Sequence, residues 1–111
     1  MRKEERLTKS SQFGAVFNHG KSWVNDLMVL KAMPNGLEFS RFGFVASKKV
    51  GNAVVRNRTR RLLREAARLT PVESGWDIVI IARKGAVGTR YRDVEPAFAE
   101  LLRRAGLLVR G

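Results

Sequence analysis

The chain has 111 residues, 44% of them hydrophobic, which suffices for one compact core and is short for two. Its 22 basic residues outnumber 10 acidic ones, giving a formal net charge of +12 that disfavours an enzyme of neutral metabolites and favours a polyanionic partner. Cysteine is absent, which excludes disulfide frameworks, thiolate zinc sites and thiol nucleophiles. The charged start, Met1 to Arg6, has no apolar stretch behind it and is unlike a secretory signal, and the longest apolar run, Ile78 to Ala82, is far too short to span a bilayer. The expectation is a soluble cytoplasmic protein with no membrane partner, folded as a single domain over residues 1–111.

In chain order, Ser10 or Ser11 is placed to cap a short helix with Phe13, Val16 and Phe17 on one face and Gly20 at its end. Trp23 and Val24 suit a short strand. Leu27 to Met33 is apolar apart from Lys31, and the turn signal Pro34-Asn35-Gly36 separates it from Leu37 to Ser47, a pattern that predicts a hairpin. In the second arm Phe42, Phe44 and Ala46 alternate with Arg41, Gly43, Val45 and Ser47, so one face carries both rings. Ala53 to Leu69 lacks Gly and Pro and stops before Thr70-Pro71, which predicts a long helix. The unbroken apolar run from Trp76 to Ala82 predicts a strand covered on both faces inside the sheet. Val94, Phe98, Leu101, Leu102 and Ala105 recur at helical spacing, and an Asp93 cap would leave Pro96 in the first turn, where it needs no amide partner.

These elements make an α+β sandwich with a partly mixed sheet. The strands ending near Ser47 and starting at Trp76 flank a helical crossover, right-handed by the general rule if the two are parallel.

The chemistry concentrates between Lys48 and Arg68, where Lys48, Lys49, Arg56, Arg58, Arg60, Arg61, Arg64 and Arg68 face Glu65 alone, a local balance of +7. On a helical wheel Asn57, Arg60, Arg61, Arg64 and Arg68 fall within an arc of roughly 100°, with Val55, Leu62, Ala66 and Leu69 nearly opposite. The apolar stripe is expected to dock on the sheet while the arginines face outward. Pairing of Glu65 with Arg61 would contribute only about 0.3–0.5 kcal/mol, so most of the charge stays unneutralised. A planar guanidinium forks onto phosphate or stacks on an unpaired base, which suits RNA better than a membrane surface. Surface helices usually mix signs, so a merely solvated face is the weaker reading. Five such phosphate contacts predict a slope of log K against log salt steeper than about −3.

The run Lys48-Lys49-Val50-Gly51-Asn52-Ala53-Val54-Val55-Arg56-Asn57-Arg58-Thr59-Arg60-Arg61-Leu62-Leu63-Arg64-Glu65 resembles the signature of the bacterial ribonuclease P protein family, with the Arg-Asn-Arg core at Arg56 to Arg58. The likeness extends through residues 13–20, 42–49 and 77–83, most of the chain. It implies a two-layer αβββαβα sandwich of the type of the second domain of ribosomal protein S5, with a left-handed βαβ crossover that overrides the general rule. It also implies binding of a catalytic RNA subunit and of the 5′ leader of precursor tRNA, assisting endonucleolytic removal of the leader while that RNA, with Mg2+, performs the phosphodiester cleavage. By motif position the resemblance assigns Lys48, Lys49 and Asn52 to the approach loop and Arg56, Asn57, Arg58, Arg60, Arg61 and Arg64 to the RNA-facing helix, which Arg68 extends. It assigns Phe13 and Phe17 to the leader cleft; Lys31 stands where some relatives carry a further aromatic ring, and a phosphate contact is expected of it instead.

The remaining candidates read more plainly. Trp23 and Trp76 are expected to anchor the core, and His19, beside Gly20, to cap or pack rather than catalyse. Tyr91 with Arg90 and Arg92 either extends the RNA surface or is a solvated segment before the last helix. Asp77 and Asp93 lie on different elements without metal-ligand spacing, and no Gly-Lys-Ser/Thr follows the Gly85–Gly88 stretch, so no catalytic or metal site of the chain's own is expected. The rivals are a ribosomal or RNA-assembly protein using the same basic helix on structured RNA, and a protein-only nuclease.

Overall fold

A computed structural model describes residues 1–109. After a short 3-10 turn at Lys3–Glu5, the elements run α1 (Ser10–His19), β1 (Lys21–Val24), β2 (Met28–Pro34), β3 (Arg41–Val45), α2 (Ala53–Leu69), β4 (Trp76–Ala82) and α3 (Tyr91–Ala105). The four strands form one sheet in the order β1-β2-β4-β3, antiparallel except for the parallel pair β3 and β4 that flanks α2.

The expected hairpin does not form. β4 lies between β2 and β3 and pairs residue by residue with all of β2 from Met28↔Ala82 to Pro34↔Trp76. The reason is burial: Asp77 through Ile80 are buried, and only a central position covers such a strand on both faces and both edges. Pro34-Asn35-Gly36 is still a turn, with Gly36 at φ 73° and the Asn35 Oδ1 accepting from the Leu37 amide at 2.7 Å. Its outlet carries the chain past β4 instead of back along β2. Asn35 Nδ2 donates to Asp77 at 3.0 Å, and Arg41 donates to both Asp77 oxygens at 2.8 and 2.7 Å, which clamps β3 against β4. The Asp77 hydrogen bonds raise the Arg41 pKa.

Two helices cover one face of the sheet and one helix the other. Under α2 and α3 lie Met28, Leu30, Phe42, Ile78, Ile80 and Ala82, closed by Leu63, Phe98, Leu101 and Leu102. On the other face Val16 of α1 packs on Val79 and Leu7, with Phe13, Met33, Val45 and Ile81 only partly buried around them. A Cβ on Gly43 would overlap the Phe13 ring, so glycine in β3 is what lets α1 come down onto the sheet.

Three details of the helices depart from expectation. Neither Ser10 nor Ser11 caps α1: the Gln12 Oε1 accepts from the Thr8 and Lys9 amides at 2.9 and 3.0 Å and pulls the start to Ser10. α3 begins at Tyr91, two residues before the expected cap, because the Asp93 carboxylate reaches back to the Arg90 amide at 3.0 Å. Pro96 then lies inside the helix, but on its exposed side, where water can satisfy the carbonyl that loses its partner. Along α2 the buried residues are Thr59, Leu63, Ala66 and Ala67, while Leu69 is 54% exposed. The docked sector is thus rotated by roughly 75° from the expected stripe, toward Arg56, Arg60 and Arg64. Small side chains at Ala66, Ala67 and Thr59 favour that side because they let the helix axis approach the sheet, and the Thr59 hydroxyl is satisfied by the Val55 carbonyl at 2.8 Å.

Candidate nucleic-acid interface

The cations cluster on α2 because its first turn is fixed from both ends. Asn52 is the N-cap, its Oδ1 accepting from the Val55 amide at 3.0 Å, and buried Val50 anchors the preceding turn so that Lys48 and Lys49 stand exposed beside the helix start. From there Arg61 is exposed, and Arg56, Arg60 and Arg64 are half-buried with their stems along the sheet-facing sector. Among the described residues no ion pair engages Lys48, Lys49, Arg56, Arg60, Arg61 or Arg64, and the Nε atoms of Arg56 and Arg64 have no hydrogen-bond partner. Asn57 accepts from Arg60 one turn on, which aligns two members of the face with each other.

Arg64 is the most crowded of these groups. Its guanidinium sits 5.8 Å from the centre of the Phe44 ring, which in turn lies nearly parallel to Phe42. Desolvation first, and then the charges of Arg6, Arg60 and Arg61, lower its pKa. Like charges held this close, without an acid between them, form a site that favours an anion. Arg6 was not among the expected members. It is 58 positions from Arg64 in sequence, and it arrives there because Leu7 donates to the Phe42 carbonyl at 2.8 Å and Arg6 bridges Phe42 in parallel. Nothing local in the sequence signals that pairing.

Two arginines of the set are otherwise engaged. Glu65 pairs with Arg68, three residues on, and not with Arg61, and hydrogen bonding from Arg68 holds the Glu65 carboxyl below the usual carboxylate range. Arg58 points toward the segment before α3 and donates to the Thr89 carbonyl at 3.1 Å.

The structure brings Phe13, Phe17 and Lys31 together on the other face, between α1 and the sheet. Phe13 packs against Gly43, whereas Phe17, one turn further, is 42% exposed. The Lys31 ammonium lies 5.9 Å from the Phe17 ring centre. Val29, Val45 and Ile81 line the same strip of sheet and are only partly covered. An apolar strip carrying an exposed ring and a cation can stack a base and hold its phosphate at one place.

Among the described residues no three His, Asp or Glu side chains gather as metal donors, and no helix is long and apolar enough to cross a membrane.

Both the sequence and the fold are similar to those of known proteins. The family model described as Ribonuclease P matches residues 1–106. The chain is 44% identical to the ribonuclease P protein component of Dehalococcoides mccartyi over 97% of this chain and 90% of the relative. Its fold is similar to a mutant RNase P protein of Staphylococcus aureus, with a TM-score of 0.88 at 28% identity over 96% of this chain and 92% of that one. It is likewise similar to the RNase P protein of Thermotoga maritima, with a TM-score of 0.79 at 33% identity over 96% of this chain and 99% of that one. The chain therefore belongs to the bacterial ribonuclease P protein family, the protein components that partner with the RNA subunit of a tRNA-processing ribonucleoprotein endoribonuclease.

Proposed function

We propose that α2 and its flanks hold the catalytic RNA subunit, that the cleft between α1 and the sheet holds the 5′ leader of precursor tRNA, and that the two together assist endonucleolytic removal of the leader. The observation that carries this reading is the separation of two unlike surfaces: on α2, Arg56, Arg60, Arg61 and Arg64, which have no acid partner among the described residues, and on the opposite face an apolar strip with Phe17 and Lys31. Lys48, Lys49, Arg56, Arg60, Arg61 and Arg64 contact phosphates or stack on unpaired bases, with Arg6 beside them. Asn52 and Asn57 contribute their amide donors. Arg58 works from the side of the face, through its remaining donors, and Arg68 contributes when its pairing with Glu65 opens. In the cleft, Phe17 stacks a leader base, Phe13 supports it, and Lys31 takes the adjoining phosphate.

The cleavage chemistry, with Mg2+, belongs to the RNA subunit. The chain acts as a single RNA-binding unit in the cytoplasm that lowers repulsion between two polyanions and positions the substrate. The test is reconstitution with the matching catalytic RNA at low magnesium. Added protein is expected to restore leader cleavage and to favour precursor over mature tRNA. Cleavage by the protein alone would point to a nuclease of its own, and unchanged cleavage and discrimination would point to a ribosomal or RNA-assembly role.

A further inference from the structure

The molecule's two tryptophans, Trp23 on β1 and Trp76 on β4, are both half-buried, and they line the same cavity. Each packs one side against the core under α3. Between them β2 presents Ala32, its smallest side chain, and α3 presents Ala105, so the space that larger residues would fill is left open. Pro34 closes one side, and Lys21 and His19 stand at the rim. The cavity measures about 250 Å³. That is below the roughly 300–1,000 Å³ of sites for drug-sized ligands and suits a single planar ring system. Among the described residues no acidic side chain lines it.

The position of the cavity matters as much as its walls. His19 follows Phe17 by two residues at the end of α1, so the proposed leader cleft and the tryptophan cavity meet at one helix terminus. The chain turns sharply there because Gly20 lies where a Cβ would be 2.6 Å from the Val16 carbonyl, and β1 begins at Lys21 immediately after it.

We propose that this cavity takes one unpaired nucleobase of the RNA strand that leaves the cleft past Phe17, stacked on the indole rings, with the adjoining phosphate held by Lys21 and His19. The inference rests on the cleft binding single-stranded RNA, as argued above, and adds a second stacking position to it. Two aromatic walls, a cationic rim and no acid match a nucleotide, whose ring is planar and whose linkage is anionic.

Because both tryptophans of the chain line the cavity, their emission reports its occupancy directly. The experiment titrates the full chain with a short single-stranded oligoadenylate. It follows tryptophan emission in parallel with the anisotropy of a labelled copy, in the parent and in two variants: Ala105→Leu, which fills the cavity, and Lys21→Glu, which reverses its rim. Thermal melts confirm that each variant folds. In the parent, emission should change along the same curve as anisotropy. Both variants should weaken binding at least about fivefold, the low end of what stacking one base contributes, and Ala105→Leu should abolish the emission change. Binding by anisotropy with unmoved emission, or an emission change that survives Ala105→Leu, would overturn the cavity proposal and leave the cleft reading standing. Absence of any oligonucleotide binding in the parent would overturn both.

Discussion

The charge of the α2 face can be lowered at Arg60 and Arg61 and raised at Glu65, none of which is fully buried. Six cations there lack an acid partner among the described residues, namely Lys48, Lys49, Arg56, Arg60, Arg61 and Arg64. At about 0.7 per phosphate for single strands and 0.9 for duplex, six contacts give a slope of log K against log salt of about −4 to −5. Changing Arg60 and Arg61 to Ala should flatten it by about 1.4–1.8. Neither arginine is fully buried, and alanine is a good helix former, so the double variant should melt close to the parent. Glu65→Gln should do the reverse: it releases Arg68 and steepens the slope by about 0.7–0.9. Removing the pair together, Glu65→Ala with Arg68→Ala, leaves the net charge unchanged and should leave the slope where it was. Acid should imitate Glu65→Gln. Because the folded-state carboxyl titrates below its usual range, the pair's contribution is present above the unfolded pKa and is lost as pH falls through the lowered folded value. Filter binding to the catalytic RNA across a salt series measures all four proteins. If the slope is the same in each, the α2 face does not contact phosphate and the assignment is wrong.

Other consequences concern the cleft and the clamp. Phe17→Ala should lower precursor-over-mature discrimination by about 1 kcal/mol or more, since stacking contributes about 1–3 kcal/mol per base. The ring is 42% exposed, so denaturant unfolding should shift little; equal losses for precursor and mature tRNA, together with unfolding, would make Phe17 a plain core residue. Arg41→Ala leaves Asp77, only 5% exposed, with Asn35 as its remaining side-chain donor, and should cost roughly 3 kcal/mol in urea unfolding. A loss below about 1 kcal/mol would show that water replaces the guanidinium and that the clamp is not needed. Gly43→Ala drives a Cβ into the Phe13 ring and should cost about 1–3 kcal/mol while weakening leader binding in step; unchanged stability would mean that α1 is not seated on β3 as described.

Much of the molecule was legible residue by residue where a local rule governs. The bounds of α2 follow from the Gly51-Asn52 and Thr70-Pro71 punctuation, and those of β4 from an apolar run with no alternation. What local rules miss is what distant segments decide. The hairpin expectation failed because Pro34-Asn35-Gly36 specifies a turn but not the strand that follows it, and β4, forty residues on, competes for the edge of β2 with a longer apolar surface. The stripe on α2 was misplaced because the wheel weighs Leu69 by hydrophobicity, whereas close approach to a flat sheet selects Ala66, Ala67 and Thr59. Of the candidate site, the cationic helix and the Phe13, Phe17, Lys31 grouping were readable from the motif positions. The pairing of Glu65 with Arg68, the arrival of Arg6 beside Arg64 and the convergence of Trp23 with Trp76 each depend on tertiary geometry.

The open strip beside α1 follows from the widths of the elements. Four strands spaced about 4.8 Å apart present a face roughly 15–19 Å wide, and a helix with its side chains covers about 10 Å of it. On the α2 and α3 side two helices suffice, and Leu30, Ile78 and Ile80 are sealed from solvent. On the other side α1 stands alone, so successive residues of β4 meet opposite fates: Ile80 is buried and Ile81 remains partly exposed. A second helix there would bury Val29, Val45 and Ile81 and stabilise the domain at about 25 cal/mol per Å² of apolar surface covered, yet it would also cover the strip beside Phe17 and Lys31 that is proposed to hold the leader. Lys31 in the middle of that strip points the same way, because a lysine opposing an added helix would have to be desolvated, whereas beside a phosphate its charge is satisfied. The incomplete cover of one sheet face is what the proposed leader cleft requires, because a single strand of RNA needs that room.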